Sequence, residues 1–222
     1  CKWGCFDYSQ QEPRLIVHYA SLDQDTNVFG VKDSYLNEEA DFHTIVAKMA
    51  DIPRDQAKTI NLGLFYGMGK AKLQAELGVS KEKAEELFSI YHSRVPFVKT
   101  LMNSVSNRAQ QRGQIRTLLG RLCRFPLWEP NQFGMHKALP FEQAVQEHGS
   151  GIRRAYTYKA LNKLIQGSAA DMTKKSMLDL YKEGIVAHIQ IHDELDLSIE
   201  NDTQAKKIVE IMENAVKLEV PN

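Results

Sequence analysis

Ile189-Gln190-Ile191-His192-Asp193-Glu194-Leu195-Asp196-Leu197-Ser198-Ile199 is the stretch on which the reading of this chain turns. Apolar and polar residues alternate on both sides of His192-Asp193-Glu194, so two half-buried strands are expected, with the triplet in the tight turn between them. Two adjacent carboxylates at a hairpin tip repel one another, and partial burial strips their hydration. A divalent cation would relieve both penalties. A solvated acidic turn is the alternative reading of so short a motif.

Working outward, the chain has 222 residues, 43% hydrophobic and 25% charged, enough for one sizeable core or for a domain with a large excursion. Lys+Arg and Asp+Glu both number 28, so no global basic excess announces nucleic acid. Placement says more than balance. Arg108, Arg112, Arg116, Arg121 and Arg124 follow one another with no acid between them, as do Arg153, Arg154, Lys159 and Lys163. Such stripes suit phosphate contact as well as they suit a solvated face. Cys1, Cys5 and Cys123 lack paired metal-ligand spacing and read as reduced thiols, which fits a cytosolic setting. No stretch approaches membrane-span length and no signal peptide is visible, so no membrane association is expected. The chain begins at Cys1 inside a strand pattern and stops at Val220-Pro221-Asn222 without a helix-ending signal, so a fragment of a longer protein is expected.

The order of elements reads as follows. A short strand over 3–8 runs into Asp7, a helix begins within 10–20, and a polar break surrounds 23–27. A short helix is expected over 41–49, with Glu38, Glu39 and Asp41 near its N-terminal end, where negative charge suits the dipole. Pro53 opens a further helix over 54–66, closed by Gly67 and Gly69. Helices over 70–77 and 81–112 follow, the second broken near Val95-Pro96. A hairpin of 114–119 with 122–125 turns at Gly120-Arg121, and 126–150 reads as loop with a short helix at 141–148. A long helix over 152–183, the acidic hairpin over 186–199 and an amphipathic helix over 202–217 complete the chain. The class is α+β: a small antiparallel sheet interrupted by a helical subdomain.

Three segments now fall into register with a known family. Asp7-Tyr8-Ser9-Gln10-Gln11-Glu12-Pro13-Arg14 resembles motif A of the family A DNA polymerases. The run Arg54-Asp55-Gln56-Ala57-Lys58-Thr59-Ile60-Asn61-Leu62-Gly63-Leu64-Phe65-Tyr66-Gly67 resembles their motif B, and His192-Asp193-Glu194 their motif C. Asn162-Lys163-Leu164-Ile165-Gln166-Gly167-Ser168-Ala169-Ala170-Asp171 resembles the long palm helix between B and C. The likeness runs in order over nearly the whole chain, and its motif A variant, with the spacer after it, resembles phage and related plasmid or organellar members. It implies a right-hand polymerase fold. Residues 1–22 would be palm, 23–112 fingers with the O-helix at 54–66, and 113–222 the remaining connection, palm helix, motif C hairpin and last helix. Thumb and exonuclease would be absent from this chain.

The resemblance also implies roles. Asp7 and Asp193 would hold two Mg²⁺ ions, for which Mn²⁺ can substitute, with the backbone carbonyl of Tyr8 completing one shell and Glu194 at the periphery. Glu12 would be a steric gate against the ribose 2′-hydroxyl, although Ser9 three residues earlier also makes it a capping-box glutamate. Arg54, Lys58 and His43 would clasp the incoming dNTP, with Lys58 also protonating pyrophosphate. Arg54, Lys58, Leu62 and Tyr66 stand at i+4 steps on one slowly rotating face, which a plain amphipathic helix would also show. Leu62 occupies a position where the family carries Phe or Tyr against the sugar. Tyr66 and Gly67 would border the nascent pair, and Asn162, Gln166 and His192 the primer–template minor groove. Arg14 would support the site; where some relatives carry arginine this chain has Tyr158, so either Lys159 would stand in or the register would differ slightly. Primer–template DNA and dNTPs are the implied partners, with a processivity factor or helicase–primase as further ones. The implied setting is the cytoplasm of an infected bacterial host, an organellar origin staying open. A single-subunit RNA polymerase is the competing enzyme, against which Glu12 and the H-D-E triplet argue. A binding-only relative is the competing class, against which the presence of both Asp7 and Asp193 argues.

Overall fold

The computed structural model describes residues 2–23, 28–37, 41–65, 68–132 and 134–220. Strand β1 (Lys2–Asp7) leads into helices α1 (Gln11–Leu22), α2 (Phe29–Asn37), α3 (Phe42–Ala50), α4 (Arg54–Phe65), α5 (Lys70–Leu77), α6 (Lys81–Arg94) and α7 (Pro96–Arg112). Short strands β2 (Gln114–Arg116), β3 (Leu122–Arg124), β4 (Leu127–Pro130) and β5 (Leu139–Pro140) follow, then α8 (Phe141–His148) and β6 (Ile152–Arg154). A 3₁₀ turn (Thr157–Lys159) precedes the long helix α9 (Ala160–Lys182), strands β7 (Ile189–Ile191) and β8 (Glu194–Ile199), and helix α10 (Asp202–Glu213). The class is α+β, as the sequence implies.

Two compact units share this chain. The first joins residues 1–58 to 165–222 and the second comprises 59–164, so the boundaries fall inside α4 and α9. They do not coincide with the expected divisions at 22 and 112. Residues 28–58 belong with the first unit because α1, α2 and α3 are tied together there: the Gln10 side-chain oxygen accepts from Phe42 N at 2.7 Å, and Lys32 pairs with Glu219.

In the first unit the sheet order is β1-β8-β7, antiparallel throughout, with Cys5 opposite Asp196 and Asp7 opposite Glu194. Leu195, Leu197 and Ile199 are buried at alternate positions of β8, which fixes the register, since a one-residue slip would expose all three. Helix α1 buries Leu15, Ile16, Val17 and Ala20 completely, each large side chain contributing roughly 1.5–3 kcal/mol. It runs antiparallel to α9, bonded through Gln11 to Thr173 at 3.3 Å and through Tyr19 to Ser168 at 2.7 Å. Burial on several sides explains why its apolar spacing lacks a clean stripe.

The second unit packs α5, α6 and α7 in succession, with Pro96 at the first position of α7 making the break expected there. Tyr91 is fully buried and donates to Asn61 Oδ1 at 2.6 Å. Arg154 clamps the region beyond α7: its guanidinium donates to the carbonyls of Gln110 and Phe125 and lies 4.4 Å from the Trp128 ring centre. Gly113 ends α7 at φ 67, and a β-carbon there would meet the same guanidinium at 2.6 Å.

Several expectations give way. The helix foreseen over 152–183 begins only at Ala160, because 152–154 pairs with β4 and Tyr156 turns left-handed at φ 62. Residues 126–150 hold β4 and β5 as well as the expected helix. Helix α2 is not among the expected elements; Val28, Val31 and Tyr35 anchor it at helical spacing. The last helix ends at Glu213 rather than 217, where Asn214 bonds back to the Glu210 carbonyl and Ala215, Val216 and Val220 are buried beyond it.

Candidate active site

Asp7 ends β1 directly opposite Glu194, and the main-chain N–H of Tyr8 donates to the Asp193 carbonyl at 3.4 Å. Strand pairing thus brings motif A and motif C to one end of the sheet. Asp193 lies in the two-residue turn between Ile191 and Glu194, whose first residue, His192, has φ 52. His192 is exposed, and its carbonyl accepts from Gln190 Nε2 at 2.6 Å. The Asp7 carboxyl is raised above its usual range by burial and by the charge of Asp193. Glu194 is raised too, chiefly by the Asp196 carboxylate beside it and also by Asp7. Among the described residues, no lysine or arginine pairs with Asp7, Asp193, Glu194 or Asp196.

Tyr8 fixes this end of the sheet from below. Its ring is 6% exposed, and its hydroxyl donates to the Met212 carbonyl and lies 2.6 Å from Ser176 Oγ. The main chain adjoining Asp7 is therefore tied to α9 and α10 at once. Gln10, not Ser9, caps α1, in a left-handed conformation and without a side-chain cap bond, so the capping box expected of Ser9 and Glu12 does not form. Its side chain is committed elsewhere, accepting from Phe42 N and from Tyr35 Oη at 3.3 Å. Glu12 is half-buried in the first turn of α1. Arg14 donates to the Ser9 carbonyl at 2.7 Å and lies over the Tyr35 ring, a supporting position.

Asp41 caps α3, accepting from His43 N and from Thr44 Oγ1, and its Oδ2 also accepts from Arg54 Nε at 2.6 Å. Burial alone would raise Asp41, but the Arg54 and Thr44 donors hold it below its usual range. His43 is 8% exposed; burial lowers it, Asp41 acts in the opposite sense, and the charges of Arg54 and Lys58 lower it further. It is therefore a neutral imidazole at pH 7, next to two cations. Lys58 is exposed. This arrangement gathers His43, Arg54 and Lys58 where an anion can be received.

Gln166 is exposed on α9 within the first unit. Leu62 and Asn162, both half-buried, belong to the second unit. Tyr66 and Gly67 lie outside the described residues. Four contributors escaped the sequence reading of the site. Gln10 and Asp41 act through partners 32 and 13 positions away, which no local pattern announces. Cys5 and Asp196 are the others: with Glu194 they offer one ligand atom each, all within 4.8 Å of one another. The Cys5 thiol is pushed up to about 11, first by Asp196 and then by desolvation and Glu194.

Known proteins share this plan. The model of DNA polymerase family A matches residues 1–222. A DNA-directed DNA polymerase of Pseudomonas phage M6 is 32% identical over 262 residues, covering 99% of this chain and 36% of that protein. DNA polymerase I of Geobacillus stearothermophilus is 32% identical over 227 residues, covering 97% of this chain and 24% of its own length. The POL domain of Pol1 from M. smegmatis, in complex with DNA primer-template and dNTP, superposes with a TM-score of 0.75 at 27% identity, covering 100% of this chain and 38% of that one. A small antiparallel sheet with carboxylates at one end, interrupted by a helical insertion, is the right-hand polymerase fold. The chain belongs to DNA polymerase family A. It spans about a quarter to a little over a third of the length of the curated relatives just named.

The family implies divalent metal, and the donor set fits it. Burial and the charge of Asp193 raise the cost of ionising Asp7, and neither carboxylate has a cationic partner among the described residues. Hard carboxylate oxygens of that kind suit Mg²⁺.

Proposed function

We propose that this chain carries the nucleotidyl-transfer centre of a primer-dependent, template-directed DNA polymerase acting in DNA replication, in a phage setting. The meeting of Asp7 with the Asp193 turn, in a chain matched by the family over its whole length, carries the proposal. The phage relative supports the setting. Asp7 and Asp193 would hold two Mg²⁺ ions, with the Tyr8 carbonyl and Glu194 at the margin. Bound there, the ions would neutralise the triphosphate and ease deprotonation of the primer 3′-hydroxyl.

The chain's own residues do the rest. Arg54, exchanging Asp41 for phosphate oxygens, and Lys58 bind the dNTP triphosphate, and Lys58 gives a proton to pyrophosphate. His43, uncharged, donates a hydrogen bond instead of adding a third cation. Glu12, within motif A in the first turn of α1, limits the space at the sugar C2′. By resemblance, Leu62 meets the sugar, Tyr66 and Gly67 border the new pair, and Asn162, Gln166 and His192 follow the primer–template.

Primer extension by the full-length protein tests this reading. Extension requiring Mg²⁺ and favouring dNTPs over rNTPs is expected, and Glu12→Ala should admit ribonucleotides more readily. A protein that binds primer–template without extending it, or one preferring rNTPs, would overturn the proposal.

A further inference from the structure

The sheet face that carries Asp7 and Glu194 holds a second set of donors one pairing step from the hairpin tip. Cys5 and Asp196 oppose each other across β1 and β8, and Asp196 stands two residues beyond Glu194, so the three side chains leave the same face. Cys5 is exposed, Glu194 half-buried and Asp196 only 7% exposed. Asp196 Oδ1 is shut from solvent and has no hydrogen-bond partner. A buried polar atom without a partner costs about 1–3 kcal/mol, more when charged, and the ligand atoms gathered near this one are a second carboxylate and a thiol, at best a weak donor. The flanking Leu195 and Leu197 are buried on the opposite face, so the position of Asp196 follows from a well-fixed register.

We propose that Cys5 Sγ, a Glu194 carboxylate oxygen and an Asp196 carboxylate oxygen form a further cation site, separate from Asp7 and Asp193, that takes a thiophilic divalent ion of the Zn²⁺ class. The donor set decides the class. Mg²⁺ takes oxygen ligands and keeps its waters, whereas one thiolate with two carboxylates suits Zn²⁺ and leaves a fourth, solvent-facing position beside exposed Cys5. The ligand atoms lie within 4.8 Å, so small side-chain movements close the site. Binding deprotonates Cys5, releases its proton to solvent and gives Asp196 Oδ1 its missing partner. The inference goes beyond the polymerase reading and does not rest on it.

Co²⁺ serves as the spectroscopic probe, titrated into the full-length reduced protein. A thiolate-to-cobalt charge-transfer band is expected, erased by one equivalent of Zn²⁺ and unmoved by excess Mg²⁺. It should persist in Asp193→Asn, which disables the catalytic pair, and vanish in Cys5→Ala. Asp196→Asn, which keeps the side-chain volume, should weaken Co²⁺ at least tenfold. Thermal melting gives a second readout: Zn²⁺ should raise the Tm of the wild type and of Asp193→Asn but not of Cys5→Ala. A band surviving Cys5→Ala, an affinity indifferent to Asp196→Asn, or no band at saturating Co²⁺ would overturn the site.

Discussion

The acidic and basic halves of the candidate centre are held in different ways. Asp7 and Asp193 stand on a hydrogen-bonded ladder, and the next residue, Tyr8, is bonded to α9 and α10 beneath the surface. Arg54 and Lys58 stand on an exposed stretch of α4, and Arg54 rests on Asp41 through an ion pair with its side chain half in solvent. Exposed pairs of that kind contribute about 0.2–1 kcal/mol. Breaking a buried hydrogen bond so that one partner is stranded costs about 1–3 kcal/mol. The fold thus fixes its carboxylates and leaves its cations free to follow an anion.

Asp193→Asn should have the largest effect. Extension is expected to fall on the order of 10³-fold or more, as when one member of a concerted set is removed. The metal-free protein should meanwhile melt at a higher temperature. Asp7 has a raised carboxyl in the folded state, so its ionisation opposes folding at neutral pH, and that opposition shrinks as pH falls below the raised folded value and is gone below the usual carboxylate range. Removing the Asp193 charge relieves part of it. A variant losing activity and thermal stability together would show that the Asp193 charge does not oppose folding.

Tyr8→Phe comes next. It removes one of two donors to the Met212 carbonyl and one of two partners of Ser176 Oγ, leaving Ala215 N–H and the Met172 carbonyl in place, and should destabilise by about 0.5–1.5 kcal/mol in denaturant titration. The turnover number should drop with the nucleotide KM unchanged. A silent substitution would mean that the acidic end is not held from below.

Leu62→Tyr should ease dideoxynucleotide incorporation on the order of tenfold, the worth of one contact near 1.4 kcal/mol. Unchanged chain-terminator sensitivity would detach Leu62 from the sugar. Asp41→Ala is expected to be the mildest for binding, tightening dNTP a few-fold by freeing Arg54, while loss of the α3 cap costs about 1 kcal/mol. Asp41 is held low, so its contribution is present above the usual carboxylate range and is lost as pH falls through the depressed value; the variant's acid-side stability slope should be shallower. An unaltered dNTP affinity would show that Arg54 is not restrained.

The elements read correctly from the sequence are those with local causes. The motif C hairpin follows from alternation around a two-residue turn, and the α6–α7 break from Pro96. The elements missed have distant causes. β6 forms because Ile152, Arg153 and Arg154 find β4, and Arg154 reaches back to Gln110 and Phe125. Asp7, Asp193, Arg54 and Lys58 are proposed from the motif resemblance, which names a residue type at each position. No motif names Asp196. Its polar phase in the alternation promised solvent, whereas β8 is the central strand, flanked by β1 and β7, and Asp196 is buried between them.

His192 holds one more consequence. The first residue of its turn is left-handed, a conformation that glycine enters freely and a β-carbon makes dearer by about 1–2 kcal/mol. Glycine would therefore be the less strained residue here, and selection acting on folding alone would not oppose it. The imidazole stands at the tip against the preference of its own backbone, which makes this position a gauge: where a relative carries glycine here, the loop has been released from whatever task keeps a ring in place.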